Sequence, residues 1–190
     1  MKVPHLENDV VKLTLLDLSN YKKLKDIANE HDLLRYSPSD ISTPEAFKQY
    51  VQTAVDGYYH ETDIPFIIFD KTTKTYAGST RFGRINWHHK VLHIGWTWLG
   101  KEFQGKGLNK NIKFLMLQYA FETLQLEKVE FRIDERNIRS WKAIEKTGAT
   151  LEGVLRKDTL MSDGFRRSTR CYSILKEEWD VIKSTFFDGF

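Results

Sequence analysis

A single cysteine, Cys171, occurs among 190 residues, so no internal disulfide is available, and no Cys/His set has the spacing of a metal site. No apolar run approaches the length of a membrane span. The opening stretch of Met1, Lys2, Val3, Pro4, His5, Leu6, Glu7, Asn8 and Asp9 lacks the apolar core of a secretory signal. Charge of one sign is also scarce, since 29 Lys and Arg against 26 Asp and Glu leave a formal +3. That balance is compatible with an anionic cofactor but gives no basic stripe of the kind nucleic-acid binders carry. These absences set the expectation of a cytoplasmic protein with no metal, no membrane partner and no direct nucleic-acid partner. Cys171 lies in the apolar-rich run Cys171, Tyr172, Ser173, Ile174, Leu175, which reads as a buried structural thiol in preference to a nucleophile.

What is present is an ordinary globular balance, 41% hydrophobic and 29% charged, in a length that suits one domain over residues 1–190. Val11, Leu13 and Leu15 alternate with Lys12 and Thr14, which predicts an opening strand. Two helical stretches follow at about 19–29 and 44–58, the second with Thr43 as cap and Pro44 in the first helical position. Residues 65–70, 75–87 and 91–99 read as strands, the last two joined as a hairpin through His88, His89 and Lys90. Leu108, Ile112, Leu115 and Tyr119 fall at helical spacing, with Asn109, Lys110 and Lys113 expected on the wet side. A half-buried strand at 128–134 precedes a short helix capped by Asn137 and closed near Gly148. A hairpin of 150–160 with 167–175 and a helical tail from Lys176 complete the order, and the fold class is α+β.

The segment Gln104, Gly105, Lys106, Gly107, Leu108, Asn109 leads from a strand into a helix. Glycines let several backbone N–H groups point at one spot, and the helix start adds its positive dipole end, which together bind anions such as phosphate. Lys106 and Lys110 add charge at the rim. A plain strand-to-helix turn accounts for the same glycines. The run from Gly100 is one residue short of a nucleotide-hydrolase loop, because Gly107 stands where a magnesium-binding hydroxyl belongs.

Gln104-x-x-Gly107-x-Asn109 resembles the pyrophosphate loop Q/R-x-x-G-x-G/A of the GNAT N-acetyltransferases, with Asn109 in place of a small residue. Downstream, Asn137, Ser140, Glu145, Lys146, Gly148 and Ala149, followed by Glu152, Gly153, Leu155 and Arg156, are similar to the signature of the RimJ/RimL-type branch of that family. So is the ending from Tyr172 to Trp179. The resemblance implies a bent, mixed, mostly antiparallel sheet flanked by helices, whose central parallel strands splay to admit a pantetheine arm. It implies acetyl-CoA as co-substrate, with the pyrophosphate on residues 104–109 and the arm paired with backbone at Trp98 and Leu99. Asn137 would touch the arm, and Ser140 would donate to the thioester sulfur. Each has a second role available, since Asn137 caps a helix and a first-turn serine commonly satisfies a backbone N–H.

The activity so implied is acetyl transfer to a primary amine, either a small amine or a protein N-terminus, with a non-catalytic acyl-CoA-binding or regulatory module as the alternative. Oligomeric state is left open, a homodimer included. No general base maps onto the sequence. His88 and His89 fall in a turn, His93 at the far end of its strand, and all three are expected at the surface, while Glu102 and Asp134 carry no further support. Trp96 and Trp98 share one strand face and serve either as core or as an acceptor wall. By analogy, the tract Leu33, Leu34, Arg35, Tyr36, Ser37, Pro38 contributes to the acceptor pocket.

Overall fold

The computed structural model describes residues 4–190, so the first three residues of the N-terminal stretch read above lie outside it. Eight strands form one sheet: β1 (Leu6–Glu7), β2 (Val11–Leu15), β3 (Ile64–Asp70), β4 (Thr75–Asn86), β5 (Val91–Leu99), β6 (Lys128–Asp134), β7 (Thr150–Leu160) and β8 (Arg166–Leu175). Their spatial order is β1-β2-β3-β4-β5-β6-β8-β7. Every neighbouring pair is antiparallel except β5 and β6. That parallel pair needs a crossover, and the glycine loop with helix α3 (Leu108–Gln118) supplies it.

The first helical stretch differs from expectation. It divides into a 3-10 turn, Tyr21–Leu24, and a single α turn, α1 (Lys25–Ala28). Asp17 Oδ1 accepts from the N–H groups of Ser19 and Asn20, so the chain is still turning where the helix was expected to begin. Helix α2 (Pro44–Tyr59) starts as read: Thr43 Oγ1 accepts from Ala46 N over 3.1 Å, with Pro44 in the first turn. Helices α4 (Ile138–Glu145) and α5 (Trp179–Phe186) complete the set.

Strand β3 is apolar on both sides because both are covered. Phe66, Ile67 and Ile68 are buried, and Phe66 packs edge-on against Phe82, which stacks on Tyr119 just past α3. On the other face Phe47 and Tyr50 of α2 meet Trp98, through a ring contact of 6.2 Å and a Trp98 Nε1 donation to Tyr50 Oη.

The sheet divides at its centre. Strands β5 and β6 pair only at Val91 with Lys128, Leu92 with Val129 and His93 with Glu130. Beyond His93 both strands continue without each other, β5 to Leu99 and β6 to Asp134. A bulge lies within that stretch of β5. Ser79 pairs with Trp98 but Arg81 with Gly95, so three steps on β5 face two on β4, and Trp96 takes φ +49°. Bulges bend and twist a strand, and this one sits where β5 leaves β6.

Two residues read as surface groups are buried. Lys113 was expected on the wet side of α3, yet it faces the sheet at 3% exposure. Its amine has a partner there, donating to Thr97 Oγ1 over 2.9 Å. His93 was expected at the surface and is 6% exposed. Its imidazole lies over Gly95, where a Cβ would come within 2.2 Å of Nε2, so the missing side chain at Gly95 makes its room.

Candidate active site

The loop after β5 passes through a 3-10 turn, Lys101–Phe103, and then uses two left-handed glycines, Gly105 at φ +79° and Gly107 at φ +84°. A side chain is strained in that region of backbone space, which is why both positions are glycine. Gly107 is the N-cap of α3 and offers no side-chain cap. Lys110 and Asn111 return their N–H groups to Gly107 O. A Cβ on Gly107 would meet nothing within 4 Å. The helix start therefore opens onto free space at Gly107, with the positive end of its dipole there, the arrangement that attracts a phosphate. Lys106 stands exposed at the rim and Leu108 anchors the loop in the core.

Side chains of the loop do less than its backbone. Gln104 turns inward, donating from Nε2 to Leu99 O over 2.7 Å and accepting at Oε1 from Arg139 Nη1 over 2.6 Å. Asn109 is half-buried, and its Oδ1 is buried without a hydrogen-bond partner. Trp98 and Leu99 are buried, so their backbone is what a ligand in the splay would meet, and the Leu99 carbonyl is already engaged by Gln104.

Arg139 was not singled out in the sequence. It lies beside Gly105, Nη2 being 3.8 Å from where a Cβ would stand, and brings a cation to the loop from the first turn of α4. Its one sequence signal was its place between Asn137 and Ser140.

On the far side of the splay, Asn137 caps α4, its Oδ1 accepting from Ser140 N over 3.1 Å. The capping need is thus met by Asn137 and not by Ser140. Among the described residues no hydrogen bond engages Ser140 Oγ or Asn137 Nδ2, so both groups remain available to a ligand.

The α2 side of β5 carries a cluster of rings around one guanidinium, that of Arg81. Trp96 folds over Gly83, where a Cβ would clash with its ring at 2.4 Å. Arg81 is stacked between the rings of Trp96 and Tyr50, at 4.7 and 5.3 Å from their centroids. Its Nη1 lies 3.6 Å from Asp63 Oδ1, and its Nε has no partner. A cleft of about 330 Å³ opens here, with Ser39, Asp40, Tyr50, Arg81 and Trp96 among its lining. The tryptophans have separate roles. Trp98 is core, whereas Trp96 walls the cleft. The tract at 33–38 itself does not line this cleft; the residues that follow it, Ser39 and Asp40, do, while Tyr36 offers its carbonyl to Arg167.

Neither His93 nor Asp134 is tuned as a base near neutral pH. Burial, aided by Arg84, Arg132, Lys113 and Arg167, pushes the His93 imidazole down to about 3. Burial raises Asp134, but the Arg136 hydrogen bonds win and hold its carboxyl below the ordinary range. Glu102 is exposed on the 3-10 turn, and His88 and His89 pack against each other in the hairpin turn. Cys171, read as buried, is half-buried, and burial pushes its thiol up. Among the described residues no group of three His, Cys, Asp or Glu side chains has metal-binding geometry, and no helix is long and apolar enough to cross a membrane.

A mixed, mostly antiparallel sheet split at its one parallel pair, with a glycine-capped helix beside the split, is the fold that the resemblance implied. The acetyltransferase (GNAT) domain family matches residues 11–150. This chain belongs to that family. It is 36% identical over 106 residues to the protein named "Putative ribosomal N-acetyltransferase YdaF" of Bacillus subtilis (strain 168), covering 53% of this chain and about half, 57%, of that protein. A solved structure from T. thermophilus, named as a putative acetyltransferase, is 32% identical, with a TM-score of 0.86 and coverage of 98% of this chain and 97% of that one. The microcin C7 self-immunity acetyltransferase MccE, solved with acetyl-CoA and AMP, shares the fold at a TM-score of 0.77 and 24% identity, covering 88% of this chain and 93% of that one.

Proposed function

We propose that this acetyltransferase uses acetyl-CoA to acetylate a primary amine that enters from the α2 face. The observation that carries this reading is the uncapped, left-handed Gly107 start of α3, opening beside the splay of β5 and β6. The pyrophosphate would sit on the N–H groups of residues 105–109, with Lys106 and Arg139 beside it. The pantetheine arm would extend along β5, taking the place β6 has vacated, as an added strand does. Backbone N–H groups near the Trp96 bulge would stabilise the oxyanion of the tetrahedral intermediate. The Ser140 hydroxyl, free of the cap, would donate to the departing thiolate, and the free Asn137 amide would hold the arm.

The acceptor cleft supports a primary amine. Asp40 lies at its edge, and hydrogen bonds from Ser42 hold its carboxyl below the ordinary range, so it presents a negative charge to an incoming ammonium. The amine must lose a proton before attack, and with His93 and Asp134 unsuited, water in the cleft is the acceptor. Both a small amine and a protein N-terminus fit an open cleft. The RimJ/RimL-type signature and the likeness to YdaF favour the N-terminus. The single free Cys171 suits a reducing cytoplasm.

Thiol release from acetyl-CoA across a panel of small amines and N-terminal peptides tests the proposal. Amine-dependent release is expected. Acetyl-CoA binding with no release for any acceptor would make the protein a coenzyme-binding module instead.

A further inference from the structure

Neither the phosphate loop nor the core explains Lys113. An ammonium buried without a counter-charge is costly, and such groups concentrate where a protein handles charge. Among the described residues no ion pair includes Lys113, and burial pushes its amine down to about 7 with no carboxylate opposing. Of its three donors one is placed, on Thr97 Oγ1 at 2.9 Å. Thr97 Oγ1 is in turn 2.8 Å from Thr80 Oγ1, which contacts Met116 Sδ at 3.6 Å.

Position gives this chain of contacts its meaning. Thr97 follows the Trp96 bulge in the part of β5 that β6 has left. Because Lys113 donates to Thr97 Oγ1, the threonine's own hydrogen must go to another acceptor, and Gly95 O at 3.4 Å and Thr80 Oγ1 at 2.8 Å both stand within its reach. Thr80 sends its own hydrogen to Met116 Sδ, so it can accept from Thr97, and a group lodged in the splay competes with these two acceptors for the same hydrogen.

We propose that Lys113, acting through the Thr97 hydroxyl, is a positioning cation for a thiolate held in the splay, the leaving group of acetyl transfer. This rests on the acetyl-CoA reading above. In the step it serves, the amine nitrogen bonds to the acetyl carbon, the carbon–sulfur bond breaks and its electron pair goes to sulfur. Thr97 donates a hydrogen bond to that sulfur, Lys113 holds Thr97 in the donating orientation and supplies positive charge, and the amine's proton leaves to water. No proton has to pass through Lys113.

The test needs no acceptor. Free CoA, bound to the protein, is titrated by the ultraviolet absorbance of its thiolate in the wild type, Lys113→Met and Thr97→Val, with calorimetric affinities for CoA on the same samples. Both substitutions roughly keep side-chain volume, at the buried Lys113 and the half-buried Thr97, and Arg84, Arg132 and Arg167 remain in place. The wild type should lower the bound thiol's pKa by about one unit, a tenfold rise in thiolate at fixed pH. Both variants should lose most of that shift, keeping only what the Ser140 hydroxyl contributes. A Lys113→Met protein that binds CoA and titrates like the wild type overturns the proposal. Wild-type protein that does not bind CoA at all overturns the acetyl-CoA reading, and the proposal with it.

Discussion

Arg139 Nη1 donates to Gln104 Oε1 over 2.6 Å, while the same glutamine donates from Nε2 to Leu99 O over 2.7 Å. One side chain thereby joins the end of β5, the glycine loop and the first turn of α4. Arg139→Ala removes both this tie and a cation beside Gly105. The acetyl-CoA dissociation constant should rise about tenfold, the scale of one charge-assisted hydrogen bond. The loss should shrink at high salt, because screening weakens an exposed charge. Calorimetry at two ionic strengths checks both; an unchanged constant would remove Arg139 from the site.

Gly107 combines φ +84° with empty space where a side chain would stand. Gly107→Val strains the backbone by about 1–3 kcal/mol and puts a branched side chain where phosphate would approach. The variant should keep its circular dichroism and lose most acetyl-CoA affinity. Full affinity in a folded Gly107→Val protein would argue against pyrophosphate contact there.

Ser140 contributes its N–H to the Asn137 cap and leaves its hydroxyl free. Ser140→Ala should therefore fold normally. Its kcat should fall on the order of 100-fold, the cost of removing one transition-state donor, with KM for acetyl-CoA nearly unchanged. An undiminished kcat would take the hydroxyl out of the mechanism.

Lys113 also makes a prediction about stability. Its pKa is lowered in the folded state, so the unfolded chain binds more protons between pH 7 and the ordinary lysine value of 10.5. The penalty is full below pH 7 and fades as pH rises toward 10.5. Lys113→Met should thus be more stable than the wild type by a few kcal/mol at pH 6, with the gain shrinking steadily at alkaline pH. Denaturant melts at pH 6, 8 and 10 test this; a pH-independent difference would mean the lysine is not desolvated as described.

Much of this architecture is legible along the chain. The alternation at Val11, Leu13 and Leu15, the Thr43 cap and the glycines at 105 and 107 each mark local geometry that the backbone then adopts. What escapes reading depends on partners distant in sequence. Hydropathy puts Lys113 in water, and only Thr97, 16 residues away on the strand beneath the helix, gives its amine a reason to be inside. His93 is covered because Gly95 leaves room for its ring and cations surround it. Arg139 meets Gln104 across 35 residues, a pairing no periodicity encodes. The bulge at Trp96 likewise exists only in the register of β4 against β5.

The central claim is that the Gly107 helix start holds the pyrophosphate of acetyl-CoA. Calorimetric titration of the wild-type protein with acetyl-CoA, and separately with ATP and magnesium, tests it most directly. The account predicts saturable acetyl-CoA binding that needs no magnesium and is lost in Gly107→Val. Tight magnesium-dependent ATP binding with no acetyl-CoA binding would contradict it.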